Sequence, residues 1–414
     1  MNSIKVFNPE HDMALANGDR HFIAPRNIRE MACDLAPLLK FIEGDEVLVW
    51  GWDPTIKTRL LRMGIAEGEL PTNAALTALR TSSERQSAHQ LLRAFHADHP
   101  EGPYIGESIL AHSLDDIAVY ATQHGHVILK DPLSSSGKGL RHVNLNEDEN
   151  EDENRHQDSS PSIKKIKNWA EALLHRHGYL TAEPYYDKVQ DFAMEFFIRD
   201  GQCRFIGYSL FNTNPHGRYE SNLLMEDEKI EALLTQHIPN SALHEVRDWV
   251  IAHSPHIIPV EWNTTRHPLY FGIDMMLVMT TDNGQQTTDR VSACECYVNL
   301  HTNPPASATE LKTKFTSELK IQNSEFKLHP CVEINLRLNM GIIAHEVRRK
   351  LLAPGVEGHF HVAAFPSEEA AQQFHREHTE KYPPVYREGK MVSGYHPLTP
   401  ILPHTRHHAY VICG

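Results

Sequence analysis

Apolar and polar positions along the first sixty residues alternate in an α/β rhythm. Ile4 to Phe7 is an apolar run of strand length, Ile28 to Phe41 has amphipathic helical spacing, Glu46 to Trp50 is a second apolar run, and Ile56 to Met63 is helical again. Strand, helix, strand at this spacing predicts a parallel sheet. Its ligand mouth is expected at the carboxyl ends of the strands, where Asn8-Pro-Glu-His-Asp12 and Gly51-Trp-Asp-Pro54 fall. Residues 81–97 begin with an N-cap pattern and predict a helix. A turn at His99 to Pro103 and a short helix at Leu114 to Gln123 lead into an apolar strand that starts at Val127.

From there the pattern changes to runs of strands followed by helices, the order of an α+β fold. Ile163 to His177 is helical, and Leu180 to Tyr186, Asp191 to Ile198 and Arg204 to Leu210 are strands. One or two charged helices fill 225–253. Ile257 to Trp262, Gly272 to Met279 and Cys331 to Arg337 are expected as strands, and Met340 to Leu352 as a helix. A helix at Glu368 to His378 and a strand at His408 to Cys413 make a small α+β appendage. No internal repeat is long enough for a solenoid.

A chain of 414 residues implies two to four compact units. The net charge of -14 argues against a nucleic-acid binder, which needs a basic surface. Part of that acidity is one run, Asn146 to Pro161, polar and aperiodic, which reads as a solvated insertion and lacks the glycine and spacing of an EF-hand loop. Six scattered cysteines suit reduced thiols. No apolar run reaches the ~18 to 20 residues of a membrane span and no secretory signal precedes the first strand, so a cytoplasmic protein with no membrane partner is expected.

The stretch richest in chemistry is Val127-Ile-Leu-Lys-Asp-Pro-Leu-Ser-Ser-Ser-Gly-Lys-Gly-Leu140. Small residues let a backbone approach phosphate oxygens, and the two ammonium groups, Lys130 and Lys138, neutralise charge. It is not a Walker A loop, because Leu140 follows Gly139 where Ser or Thr is needed. The same composition also suits an ordinary hairpin. A phosphate cradle used in catalysis needs a hard cation and oxygen ligands. Asp274 lies in an otherwise apolar strand, which is costly unless the charge is paired or metal-bound. Glu333, Asn335 and Arg337 share one face of a strand by its period of two. A cross-face salt bridge between Glu333 and Arg337 is the simpler alternative.

Together these motifs resemble the ATP-grasp superfamily of carboxylate-amine ligases over roughly residues 80–345. The resemblance rests on Val-Ile-Leu-Lys130-Asp-Pro with Ser134 to Gly139, on Phe271-Gly-Ile-Asp274, and on Val332-Glu-Ile-Asn-Leu-Arg-Leu-Asn-Met-Gly341. It implies an α/β N-terminal domain at 1–80, a first lobe at 81–182 carrying the insertion 146–161, a second lobe with the metal site at 183–352, and the appendage at 353–414. It also implies ATP and Mg²⁺. Lys130 and the loop Ser134, Ser135, Ser136, Gly137, Lys138 and Gly139 would hold the triphosphate, with Arg85 standing where many members have a phosphate-contacting lysine. Glu183, Pro184, Tyr185 and Tyr186 would be the adenine hinge, and Asp191 the ribose acid. Asp274, Glu333 and Asn335 would ligate magnesium, and Arg337 would meet an acyl phosphate.

Two departures from the resemblance are the long segment between Asp274 and Glu333 and the acidic insertion. Cys294-Glu-Cys296 within that segment reads as two small apolar residues on a strand rather than a zinc site. Asn8, Glu10, His11 and Asp12 are candidates for substrate binding, and Arg218 for contact with the γ-phosphate or a substrate carboxylate. The expected reaction joins a small-molecule or peptide carboxylate to an amine, releasing ADP and phosphate. A small-molecule kinase on the same fold and a non-catalytic nucleotide-binding regulator are the alternatives.

Overall fold

The computed structural model describes residues 3–44, 46–134, 139–145, 161–213, 219–265, 267–281 and 324–414. β1 (Ile4–Val6) and β2 (Val47–Val49) pair in parallel with Ile4 opposite Val47, as the alternation predicts. Around this two-stranded sheet lie α1 (His11–Asn17), α2 (Arg26–Leu35) and α3 (Pro54–Arg62). The helix expected over 28–41 divides. Pro37 has no N–H to give an α-helical ladder, and Ala36–Phe41 tightens into a 3-10 helix.

Side chains lock the carboxyl ends of the two strands together. Asn8 Nδ2 donates to Gly51 O at 2.8 Å and to Asp53 Oδ2 at 3.1 Å, and Gly51 N donates back to Asn8 Oδ1 at 3.2 Å. Asp53 Oδ1 meanwhile caps α3, accepting from Thr55 N at 2.7 Å and Ile56 N at 2.9 Å. Both side chains are buried.

α4 (Asn73–Ser82) and α5 (Arg85–Asp98) replace the single helix expected from residue 81. Ser83 Oγ donates to Leu79 O at 2.8 Å, the local back-bond by which serine competes with a helical ladder. β3 (Ile109–Ala111), β4 (His126–Lys130), β5 (Leu140–Asn144) and β6 (Leu180–Pro184) form an antiparallel sheet in the order β3-β6-β4-β5. α6 (Leu114–His124) and α7 (Pro161–His177) cover it, closing a core that includes Ile117, Val127, Leu129, Ala170 and Leu180.

The remaining strands are β7 (Lys188–Arg199), β8 (Gln202–Thr213), β9 (Tyr219–Leu224), β10 (Leu269–Thr281), β11 (Ser324–Asn335), β12 (Gly358–Ala364), β13 (Val385–Arg387), β14 (Lys390–Pro397) and β15 (His407–Cys413). They make one nine-stranded antiparallel sheet in the order β11-β10-β7-β8-β9-β12-β15-β14-β13. The last sixty residues are therefore an extension of this sheet, with β12 paired to β9, rather than a separate appendage. The helices α8 (Asp227–Leu234), α9 (Asn240–Ile257), α10 (Val260–Asn263), α11 (Met340–Leu351) and α12 (Glu368–Lys381) pack around it. The strand expected at 257–262 is instead the end of α9 and the short α10. Ile257, Ile258 and Trp262 are buried there, and a short apolar run suits a buried helix end as well as a strand.

Alternation along the central strands gives the sheet two different faces. Phe192, Met194 and Phe196 of β7 and Ile273, Met275 and Leu277 of β10 join Leu92 and Phe95 of α5 and Val246 and Trp249 of α9 in the main core. The opposite face carries Asp191 and Glu195 on β7 and Asp274 on β10, and α11 roofs part of it, with Gly341 against Glu195 and Ser209. A segment before β3 covers the edge of β11, Ile105 N donating to Leu328 O at 3.0 Å and Leu328 N to Pro103 O at 2.7 Å.

The tie at the N-terminal sheet generates a first prediction. Asn8→Ala strips both Gly51 and Asp53 of a buried partner and should lower stability in urea by ~1 to 3 kcal/mol. An unchanged unfolding midpoint would show that the tie contributes nothing.

Candidate functional site

Asp274 of β10 stands directly opposite Glu333 of β11, and the pairing shifts just beyond them. Such irregularities re-aim side chains. Asn335 Nδ2 donates to Asp274 Oδ2 at 3.2 Å, so the three residues singled out as metal ligands meet. Burial, and after it the charges of Glu333, Glu195 and Asp191, push the Asp274 carboxyl well above its ordinary range. Two facing carboxylates and an amide oxygen fit magnesium, which takes one or two protein carboxylates and leaves its other positions to water and phosphate. Among the described residues no group of three or more His, Cys, Asp or Glu side chains is placed to hold a metal.

Arg337 is not free to meet a ligand in this arrangement. Its Nε and Nη2 donate to Oδ1 and Oδ2 of Asp12 at 3.0 and 2.9 Å, a two-pronged pair, and Nη1 donates to Leu338 O at 3.2 Å. Burial by itself would raise the Asp12 carboxyl, but Arg337 outweighs it and holds Asp12 below the usual carboxylate range.

Arg85 opens α5 and links the two sheets. Its Nη2 lies 3.3 Å from Glu333 Oε1, and its Nε donates to Asp131 O at 3.1 Å. A pocket here is lined by His11, Asp12, Arg85, Ser134, Glu333 and Asn335. Ser134 Oγ is buried without a hydrogen-bond partner among the described residues. A Cβ on Gly139 would come within 2.2 Å of that oxygen, so the loop needs glycine at this place. Ser135, Ser136, Gly137, Lys138 and Arg218 lie outside the described residues, as do 146–160, Cys294 and Cys296.

Lys130, at the end of β4, is buried in an ion pair with Glu183 of β6. Its charge reaches the facing sheet. Burial and the fields of Glu183 and Asp274 push the Cys331 thiol up, while Lys130 acts against them. Of the expected hinge, Glu183 is thus committed to Lys130, and Tyr185 N donates to His126 O at 3.0 Å. Tyr186 OH accepts from Glu107 N at 3.1 Å, and its ring joins Met276 and Val278 in a small apolar cluster flanked by Ile105 and Val332. Asp191, the expected ribose acid, pairs with Lys188 and accepts from Thr213 Oγ1 at 3.3 Å.

The N-terminal candidates separate. Asn8 is engaged in the tie between β1 and β2, and Glu10 is not among the residues lining this pocket. Burial raises the Glu10 carboxyl. His11 packs against Gly51 with its Nδ1 3.6 Å from Asp53 Oδ2, and it reaches the pocket beside Asp12.

Glu195 is the residue that sequence reasoning missed. It is 1% exposed and accepts from Asn339 Nδ2 at 2.7 Å, while Asn339 Oδ1 caps α11 by accepting from Ile342 N at 2.9 Å. A Cβ on Gly272 or Gly341 would lie 2.6 or 2.2 Å from its carboxylate oxygens. The clue was a charge in the apolar run Phe192 to Phe197, the same one that singled out Asp274.

No protein-family model matches the chain, and no curated protein matches it. Among solved structures it is similar to N5-carboxyaminoimidazole synthetase from Staphylococcus aureus complexed with ADP, at 10% identity and TM-score 0.45, over 100% of this chain and 93% of that one. It is also similar to a biotin carboxylase–beta-gamma-ATP complex from Campylobacter jejuni, at 12% identity and TM-score 0.42, over 100% of this chain and 87% of that one. Overlaps of this size say nothing on their own about what the chain does.

The geometry of Glu195 has two measurable consequences. Burial raises its carboxyl from 4.5 to about 7. Between those pH values the folded chain keeps a proton that the unfolded chain releases, so stability should fall as pH rises through this window, by about 1.4 kcal/mol for each pH unit crossed. Melts in EDTA at pH 5 and pH 8 should show a smaller fall in Glu195→Gln, where only the raised Asp274 carboxyl still contributes, than in the wild type; an equal fall in both would contradict the assignment. Gly341→Ala forces a methyl group onto Glu195 and Ser209 and should destabilise by ~1 to 3 kcal/mol, where an unaltered melting curve would exclude the close packing.

Proposed function

We propose that the chain binds MgATP between the four-stranded and nine-stranded sheets and uses it to activate a carboxylate for attack by an amine, releasing ADP and phosphate. The observation that carries this reading is the pocket in which Arg85 and Ser134 meet Glu333 and Asn335, with Asp274 bonded to Asn335. Cations on one side and oxygen donors on the other are what a metal–triphosphate complex requires.

A carboxylate is a poor acyl donor because oxide is a prohibitive leaving group; phosphorylating it supplies a good one. Asp274, Glu333 and Asn335 would hold magnesium, which when bound neutralises charge on the transferred phosphoryl group. Lys130, steadied by Glu183, would add positive charge along the triphosphate. Ser134 Oγ has a hydrogen bond to offer it. The chain's task in the first step is positioning and charge neutralisation.

The test is binding first and products second. Wild type should bind MgADP in calorimetry. Lys130→Met should lose that binding and also ~3 to 5 kcal/mol of stability, because Glu183 is left as an unpaired buried charge. Lys130→Met with Glu183→Gln should regain stability without regaining nucleotide; tight MgADP binding by the double variant would remove Lys130 from the site. In a screen of amino acids and short peptides, phosphate released only with both substrates present identifies a ligase, whereas a stable phosphorylated product identifies a kinase.

A further inference from the structure

The guanidinium of Arg337 stays charged at any physiological pH and is only 17% exposed, so it must be answered by anions. Carboxylates surround it: Asp12 through two hydrogen bonds, then Glu333 and Asp274 through space, with Glu195 also in its field. Asp12 takes Nε and Nη2, and Leu338 O takes Nη1. The position of Asp12 is set from a different part of the fold. It is the second residue of α1, whose start is fixed by the Asn8–Gly51–Asp53 tie and by His11 packed on Gly51. Glu333 already has a cation on one oxygen, Arg85 at 3.3 Å from Oε1.

We infer that Asp12 is a positioning residue for the divalent-cation site: by occupying both prongs of Arg337 it keeps that guanidinium off Glu333 and Asp274. The inference rests on the reading of Asp274, Glu333 and Asn335 as metal ligands. Without Asp12 the enclosed guanidinium would have to find another acceptor, because an unpaired charge there is costly. Among the carboxylates left within its field are the ligands themselves, Glu333 and Asp274, with Glu195 close by. A two-pronged Arg–carboxylate pair would then compete directly with the metal for the same oxygens. The N-terminal sheet thus belongs to the metal site although it contributes no ligand.

The test is a Mn²⁺ titration of the full chain in saturating ADP, with free Mn²⁺ read by electron paramagnetic resonance. Asp12→Asn should weaken Mn²⁺ binding about tenfold, the lower end for losing an outer partner of a metal site. Arg337→Gln should bind at least as well as wild type, and Asp12→Asn with Arg337→Gln should regain most of the loss. That recovery is what a merely structural role for Asp12 cannot produce. Wild-type affinity in Asp12→Asn, or a double variant as weak as the single, overturns the inference. Should Asp12→Asn fail to fold, Arg337→Gln still decides, since a tenfold loss there would mean that Arg337 supports the site rather than threatens it. A wild type that binds no Mn²⁺ removes the ligand reading itself.

Discussion

Four carboxylates, Asp191, Glu195, Asp274 and Glu333, stand near one another on three adjacent strands and are partly or wholly withdrawn from water. Like charges this close repel, and low dielectric makes the repulsion stronger. Much of the surrounding structure answers that one constraint. Glu195 is met by Asn339 and lodged between two glycines, Asp274 by the amide of Asn335, Asp191 by Lys188, and Glu333 by Arg85. The compensating groups come from several places: Lys188 on β7 itself, Asn335 on β11, Asn339 at the start of α11 and Arg85 on α5.

The arrangement also explains the long reach of the N-terminal segment. β1 and β2 make a sheet of only two strands, too small to be stable by itself, yet their ends are tied by buried hydrogen bonds. That rigidity is transmitted through α1 to Asp12 and so to Arg337, 325 residues away in sequence. The first lobe contributes in the same manner. The turn after β4 brings Ser134 into the pocket beside Glu333 and Asn335 of β11, and Arg85 spans the gap between Asp131 and Glu333.

Much of this is legible in the amino-acid order alone. Asp274 stands out as a charge in an apolar strand, and period-two spacing puts Glu333 and Asn335 on one face. Partnerships across long sequence separations are not legible, because nothing local encodes them: Arg337 suits a salt bridge with Glu333, but the fold gives it to Asp12. Asn8 shows the converse. Its position at a strand end suggests a ligand contact, whereas the fold spends its amide on Gly51 and Asp53. The run at 257–262 fails for a simpler reason, since a short apolar stretch reads alike as strand or buried helix end. The C-terminal strands could not be assigned to a sheet because pairing β12 with β9 skips more than a hundred residues.

The carboxylates on β10 and β11 are proposed to hold a divalent cation together with a nucleotide. Thermal unfolding of the wild type and of Asp274→Asn, each in EDTA and in MgCl₂ with ADP, tests it most directly. Magnesium and ADP should stabilise the wild type by ~3 kcal/mol at a hundredfold excess over the dissociation constant, and Asp274→Asn, relieved of repulsion, should be the more stable protein in EDTA but gain little from the metal. Equal stabilisation of both proteins by magnesium and ADP would contradict the claim.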